Sequence, residues 1–274
     1  MSVENNPDFT RVMAQRAVKE ETENAVLYGP LNFSREEGVI VEKYVIGNWK
    51  CNKGADEARN WFAEFARGYR PVKGLTVIIA PSFICLQSLS QYVKALGLEN
   101  LSLAAQDISP FPKGSYTGAV AADMVKDLVE YVIIGHSERR HYFHETDQDV
   151  ARKMGEAVDA GLTPIICVDR PYARSQLLAL NGSDSKEMII AYGPVEATVV
   201  RIPESPKIAA ETAGIISSIQ PGRPVVYGGS LEPENVKEYI DVPELAGLFV
   251  GQASLEVGSF LAICEQMAAS MKAE

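Results

Sequence analysis

From residue 44 onward the chain repeats one unit, a short and almost continuously apolar run followed by a longer amphipathic one. The short runs are 44–49 (YVIGNW), 75–80 (LTVIIA), 101–106 (LSLAAQ), 131–135 (YVIIG), 163–168 (TPIICV), 188–192 (MIIAY), 224–228 (PVVYG) and 247–251 (GLFVG). A strand wetted on one face alternates apolar and polar residues. A strand covered on both faces does not, so these runs read as strands of a parallel sheet with helices packed against it. The segments between them carry apolar residues at helical spacing and predict helices at 56–68, 83–96, 119–128, 147–160, 174–180, 207–219, 234–240 and 255–271. Eight strands, each followed by a helix, predict an α/β fold in the form of a single (β/α)8 barrel. An open doubly wound sheet is the alternative. It uses fewer strands and places a glycine-rich turn after its first one, whereas the turn here is Asn48, Trp49, Lys50, Cys51 and Asn52, with no glycine.

The barrel is expected over 43–274, and no Pro/Gly/Ser-rich linker divides it. Residues 1–42 are polar and acidic, with no apolar core of a secretory leader, and read as a solvated N-terminal extension with a helix around 9–27. The net charge of −10 weighs against broad binding to nucleic acid or to an anionic membrane, and leaves room for a local basic site that takes an anion. Cys51, Cys85, Cys167 and Cys264 are far apart and form no CxxC pair. They imply neither a metal site nor a disulfide framework, and fit reduced thiols in a cytoplasmic protein.

Chemistry in such a barrel collects where the strands end. The first strand ends in Asn48 and Lys50, and the fourth in His136 within Gly135, His136, Ser137, Glu138, Arg139 and Arg140. The seventh ends in Gly228, Gly229 and Ser230, and the eighth in Gly251, Gln252, Ala253 and Ser254. Small-residue turns of the latter kind expose backbone N–H groups that can cradle a phosphate. A lysine, a histidine and an anion nest at one mouth predict a small phosphorylated metabolite as ligand. His141 and His144 fall beyond the strand end and are expected to be structural or superficial.

Together, the Gly47–Asn52 and Gly135–Arg140 motifs, the Tyr227–Ser230 turn and the Val250–Ser254 turn resemble those of the triosephosphate isomerase family, over about 44–268 and in the family's order. The resemblance implies the TIM-barrel architecture, an aldose–ketose isomerase of triose phosphates, and no cofactor or metal. It also implies roles. Asn48 and Lys50 would contact substrate, with Lys50 stabilising the enediolate and phosphate charge. His136 would be the neutral electrophile that polarises the carbonyl. Ser137 and Glu138 would support His136. Gly229, Ser230, Gly251 and Gln252 would hold the phosphate, although Gln252 stands where the family has glycine. Residues 105–118 resemble the interdigitating dimer loop, so that a homodimer is implied, with Thr117 reaching the partner's site.

The sixth strand breaks the pattern. The family's Tyr-Glu-Pro-Val-Trp is here Tyr192, Gly193, Pro194, Val195 and Glu196, so Gly193 occupies the place of the carboxylate base. The lid that follows, 197–203, has no glycine, and Val199 and Val200 are stiff where a hinge is needed. After the fifth strand, Arg170 replaces the glutamate that meets the lid tryptophan, which Glu196 replaces in turn. An Arg170–Glu196 ion pair pinning the lid is the expectation. A positioned base contributes about 10²–10⁴-fold, so isomerisation is expected to be weakened by at least that order or lost. Rescue by Glu196 or Glu138 is disfavoured. Two readings stay open, an impaired isomerase, of triose phosphates or of another phosphorylated sugar, and a non-catalytic binder of a phosphorylated ligand. A third, an interaction module centred on the acidic extension, leaves Asn48, Lys50 and His136 unexplained.

Overall fold

The computed structural model describes residues 42–180, 187–194 and 202–272. Almost all of the acidic extension and its expected helix lie outside the described residues, as do Glu196, Val199 and Val200 with the expected Arg170–Glu196 pair. The strands are β1 (Lys43–Asn48), β2 (Leu75–Ala80), β3 (Leu101–Ala105), β4 (Tyr131–Ile134), β5 (Thr163–Val168), β6 (Ile189–Tyr192), β7 (Val225–Tyr227) and β8 (Gly247–Val250). Each pairs in parallel with the next, and β8 returns to β1 from Tyr44↔Gly247 to Gly47↔Val250, which closes the barrel. All eight expected strands are present, with ends that agree to within one residue.

Two apolar layers explain the unbroken hydrophobicity of the strands. One side of each strand fills the barrel axis, with Ile46, Ile78, Ala104, Ile133, Ile165, Cys167, Ile189, Ala191, Val226 and Phe249. The other side, including Val45, Val77, Val132, Ile166, Val168, Ile190, Val225 and Val250, packs against the helices. Burying each such side chain stabilises the fold by about 1.5–3 kcal/mol. Because side chains alternate, the next inward positions at the mouth are Asn48 on β1, Asp169 after β5, Gly193 after β6, Gly228 after β7 and Gly251 after β8.

The helices are α1 (Ala55–Gly68), α2 (Phe83–Leu96), α3 (Ala122–Val125), α4 (Ser137–Tyr142), α5 (Asp147–Asp159), α6 (Ala173–Leu178), α7 (Pro206–Ile219), α8 (Lys237–Ile240) and α9 (Val257–Lys272). Their ends follow local chemistry. Gly97 takes a left-handed conformation, φ 61°, to close α2. Thr146 and Asp149 form a capping box that starts α5. Ser205 caps α7 ahead of Pro206. α1 is fixed by an aromatic cluster in which Trp61 lies 5.0 Å from Trp49 and stacks at 4.9 Å on Phe65.

Two expected helices are much shorter than their periodicity suggested. Segment 119–128 forms one turn, α3, which buries Ala122 and Val125. Glu130, just past it, is drawn to β3, where its carboxylate accepts the N–H of Leu103 at 3.1 Å. Segment 234–240 likewise gives only the single turn α8. Conversely α4, after β4, was read as part of a motif rather than as a helix.

Candidate active site at the barrel mouth

At the end of β1 the backbone of Lys50 is left-handed, φ 52°, which is uncommon for a residue with a side chain. Two bonds hold it there. The Lys50 N–H donates to Asn48 Oδ1 at 3.0 Å, and the Lys50 carbonyl accepts Gln106 Nε2 at 2.8 Å. The bend brings the ammonium over β8, where a Cβ placed on Gly251 would lie 3.8 Å from Lys50 Nζ. Lys50 Nζ also meets Glu138 Oε1 at 2.8 Å. Asn48, Lys50, Glu138 and Gly251 therefore come together at the mouth.

His136 caps the N-terminus of α4, its Nδ1 accepting the Glu138 N–H at 3.2 Å. With Nδ1 an acceptor, the ring proton sits on Nε2. Burial holds the imidazole pKa down to about 4, against the pull of Glu138, so the ring is neutral at physiological pH. The Glu138 carboxylate, 3.6 Å from Nδ1, is therefore not a partner in an ion pair. Glu138 serves Lys50 by its carboxylate and His136 by its backbone, a dual position that the motif alone did not reveal.

The turn into His136 needs Gly135. It has φ 74°, and a Cβ there would meet Arg140 Nη2 at 2.9 Å. Behind it lies a buried ionic cluster in which Lys153 Nζ contacts Asp107 Oδ1 at 2.6 Å and also Glu145, while Arg139 bridges the same two carboxylates at 2.8 and 2.9 Å. Glu145 also accepts the Gly135 N–H at 3.1 Å. Burial pushes the Asp107 carboxyl up, against the pull of Lys153 and Arg139. Through that bond the cluster is tied to the turn that carries His136.

A pocket of about 320 Å³, including its open mouth, is lined by His136, Ser137, Cys167, Asp169, Gly193, Gly228 and Phe249 among others. His136 and Gly193 thus share one cavity. Gly193 extends β6, its N–H donating to Val168 O at 3.2 Å, while the Gly228 N–H donates to Tyr192 O at 2.8 Å. The approach to β7 is so close that a Cβ on Gly193 would come within 2.8 Å of the Gly228 carbonyl oxygen. The backbone at this position is built for glycine. Asp169 was not singled out from the sequence as a site residue. The signal was there in the inward phase Ile165, Cys167, Asp169.

Gly229 abuts the Tyr227 hydroxyl, and Ser230 is left-handed at φ 49°. Gln252 opens a 3₁₀ turn directly after Gly251. Arg170 Nη1 pairs with Glu204 Oε1 at 3.2 Å. Glu204 also accepts the Tyr192 hydroxyl on its carboxylate and the Tyr239 hydroxyl on its carbonyl, and donates its N–H to Tyr227 Oη at 3.0 Å. This anchor at the far end of segment 195–201 was not foreseen. Thr117 lies in an exposed excursion, 111–119, where Phe111 and Tyr116 stack at 4.6 Å.

Comparison with known proteins gives one answer. The family model described as triosephosphate isomerase matches residues 43–267. The triosephosphate isomerase of Polynucleobacter asymbioticus is 35% identical over 246 residues, covering 81% of this chain and 98% of that one. That of Fusobacterium nucleatum is 34% identical, covering 80% and 96%, and that of Xanthomonas oryzae pv. oryzae 36%, covering 83% and 98%.

Proposed function

The chain belongs to the triosephosphate isomerase family, and from that premise we propose that its barrel mouth binds a triose phosphate and interconverts glyceraldehyde 3-phosphate and dihydroxyacetone phosphate, at a rate held down by the missing carboxylate of β6. The observation that carries the reading is the meeting of Lys50, Glu138 and a neutral His136 beside a pocket floored by Gly193. Lys50 and the backbone N–H groups at Gly229, Ser230, Gly251 and Gln252 take the phosphate. The Nε2–H of His136 and the amide of Asn48 polarise the carbonyl. A neutral donor suits this task, because it stabilises a developing oxyanion without protonating it outright. No cofactor is required, since the reaction moves a proton between two carbons of one molecule.

The reading includes a cytoplasmic homodimer, joined through the exposed 111–119 excursion, with Thr117 beside the partner's mouth. Loss of a positioned base costs about 10²–10⁴-fold, and that is the largest deficit expected against a family member with glutamate on β6 when another carboxylate at the mouth takes up the role.

The test is a coupled assay in both directions, run beside thermal denaturation with 2-phosphoglycolate. A measurable but depressed rate together with a raised Tm is the expected pair of results. A raised Tm with no turnover supports the second reading, a phosphate-ligand binder without chemistry, which the closure of Gly193 against Gly228 favours.

A further inference from the structure

Among the residues that line the pocket shared by His136 and Gly193, Asp169 is the carboxylate. Its placement follows from sheet register. β5 and β6 pair as Cys167↔Ala191 and Val168↔Tyr192, so the next pair at the mouth is Asp169 opposite Gly193. The Gly193 N–H bond to Val168 O shows the ladder continuing to that level. Both residues occupy the inward phase, Asp169 after Ile165 and Cys167, Gly193 after Ile189 and Ala191. Neighbouring strands lie about 4.8 Å apart. Asp169 therefore stands one strand width from the position Gly193 leaves empty.

The displacement is toward His136. β5 is the immediate neighbour of β4, which leads into His136, whereas β6 is one strand further round. Asp169 is buried and held at both its backbone and its side chain by one residue of α6. Gln176 Oε1 accepts the Asp169 N–H at 2.8 Å, and Gln176 Nε2 donates to Asp169 Oδ2 at 3.3 Å. Its charge reaches the cavity floor, where it adds to burial in raising the Cys167 thiol.

We propose that Asp169 is the general base of this site, so that the proton-abstracting carboxylate sits on β5 and not on β6. This rests on the triose phosphate reading above. The Asp169 carboxylate removes a proton from C1 of dihydroxyacetone phosphate, and the C–H electron pair becomes the C=C bond of the enediolate. The carbonyl electrons move to oxygen, which accepts a hydrogen bond from His136 Nε2–H. The protonated Asp169 returns its proton to C2 as the hydroxyl proton passes between the two oxygens, and glyceraldehyde 3-phosphate results with nothing gained or lost. Gln176 is the positioning residue.

The experiment follows deuterium uptake at carbon from D2O into dihydroxyacetone phosphate by NMR, for the full chain and for Asp169→Asn and Asp169→Ala, with 2-phosphoglycolate thermal shifts measured on each. The expected result is uptake by the full chain and a fall of about 10²–10⁴-fold in both variants, with the 2-phosphoglycolate shift retained and partial recovery of Asp169→Ala by added formate. The asparagine variant preserves the Gln176 contacts should alanine unfold the loop. Uptake within threefold of the parent in Asp169→Asn overturns the proposal. So does background uptake by the full chain when 2-phosphoglycolate still binds, and that outcome leaves the binding reading standing. Failure of 2-phosphoglycolate to shift the full chain overturns the triose phosphate reading itself, and this assignment with it.

Discussion

Gly193 and Gly228 face each other across β6 and β7 with 2.8 Å between the carbonyl oxygen of one and the Cβ position of the other. A side chain at Gly193 must push the two strands apart. Overpacking of this kind costs about 1–3 kcal/mol, so Gly193→Ala should lower the unfolding free energy from urea titration by that amount. Gly193→Glu should be at least as destabilised and should fail to reach the rate of an ordinary family member. A Gly193→Glu protein with full stability and a rate increase beyond a hundredfold would show that the strands part freely.

His136 gives a pH signature. Burial lowers its pKa to about 4 from 6.5, so the folded protein refuses a proton that the unfolded chain accepts. Stability contributed in this way is intact above pH 6.5 and is lost as pH falls toward 4, by about 3 kcal/mol in all. Denaturant titrations at pH 7, 5.5 and 4.5 should show the loss in the parent and a smaller one in His136→Asn. The rate profile should carry no histidine inflection between about pH 5 and 8.

Lys50 should dominate anion affinity. Its ammonium lies over Gly251 and is held near the mouth by Glu138 at 2.8 Å. A hydrogen bond to a charged group is worth about 1.5–3 kcal/mol, so Lys50→Met should weaken 2-phosphoglycolate binding at least tenfold by calorimetry. An affinity within twofold of the parent would place the anion elsewhere.

Lys153 should matter for folding more than its distance from substrate suggests. Removing its charge leaves Asp107 and Glu145 buried with Arg139 as their remaining cation in the cluster. Breaking such a buried cluster costs about 3–5 kcal/mol, which chemical denaturation of Lys153→Met should register. Arg170→Ala, which severs a half-exposed pair with Glu204, should change stability by less than about 1 kcal/mol.

The strands were legible because burial on both faces leaves no polar residue to interrupt them, as in LTVIIA at 75–80. His136 and Lys50 were legible because they belong to long, specific motifs. The one-turn α3 was not, because a helical period says which face is apolar and not how much of the segment the barrel has room to cover. Asp169 was not legible because the motif leads along the chain to β6, while register, which relates residues 24 positions apart in sequence, sets Asp169 at the end of β5 opposite Gly193. The Glu204 anchor was hidden for a similar reason. It is built from hydroxyls on Tyr192, Tyr227 and Tyr239, which the sequence presents only as apolar bulk.

A closed ring of strands has no first or last station. Every strand end looks onto the same small circle, and each is flanked by two others at nearly the same height. A side chain's chemical post is then fixed by its level and inward phase more than by the strand that bears it. Duties can be handed round the rim, with one station vacated and its neighbour manned, while the wall behind them stays as it was. An open sheet, whose edges differ from its centre, gives no such latitude.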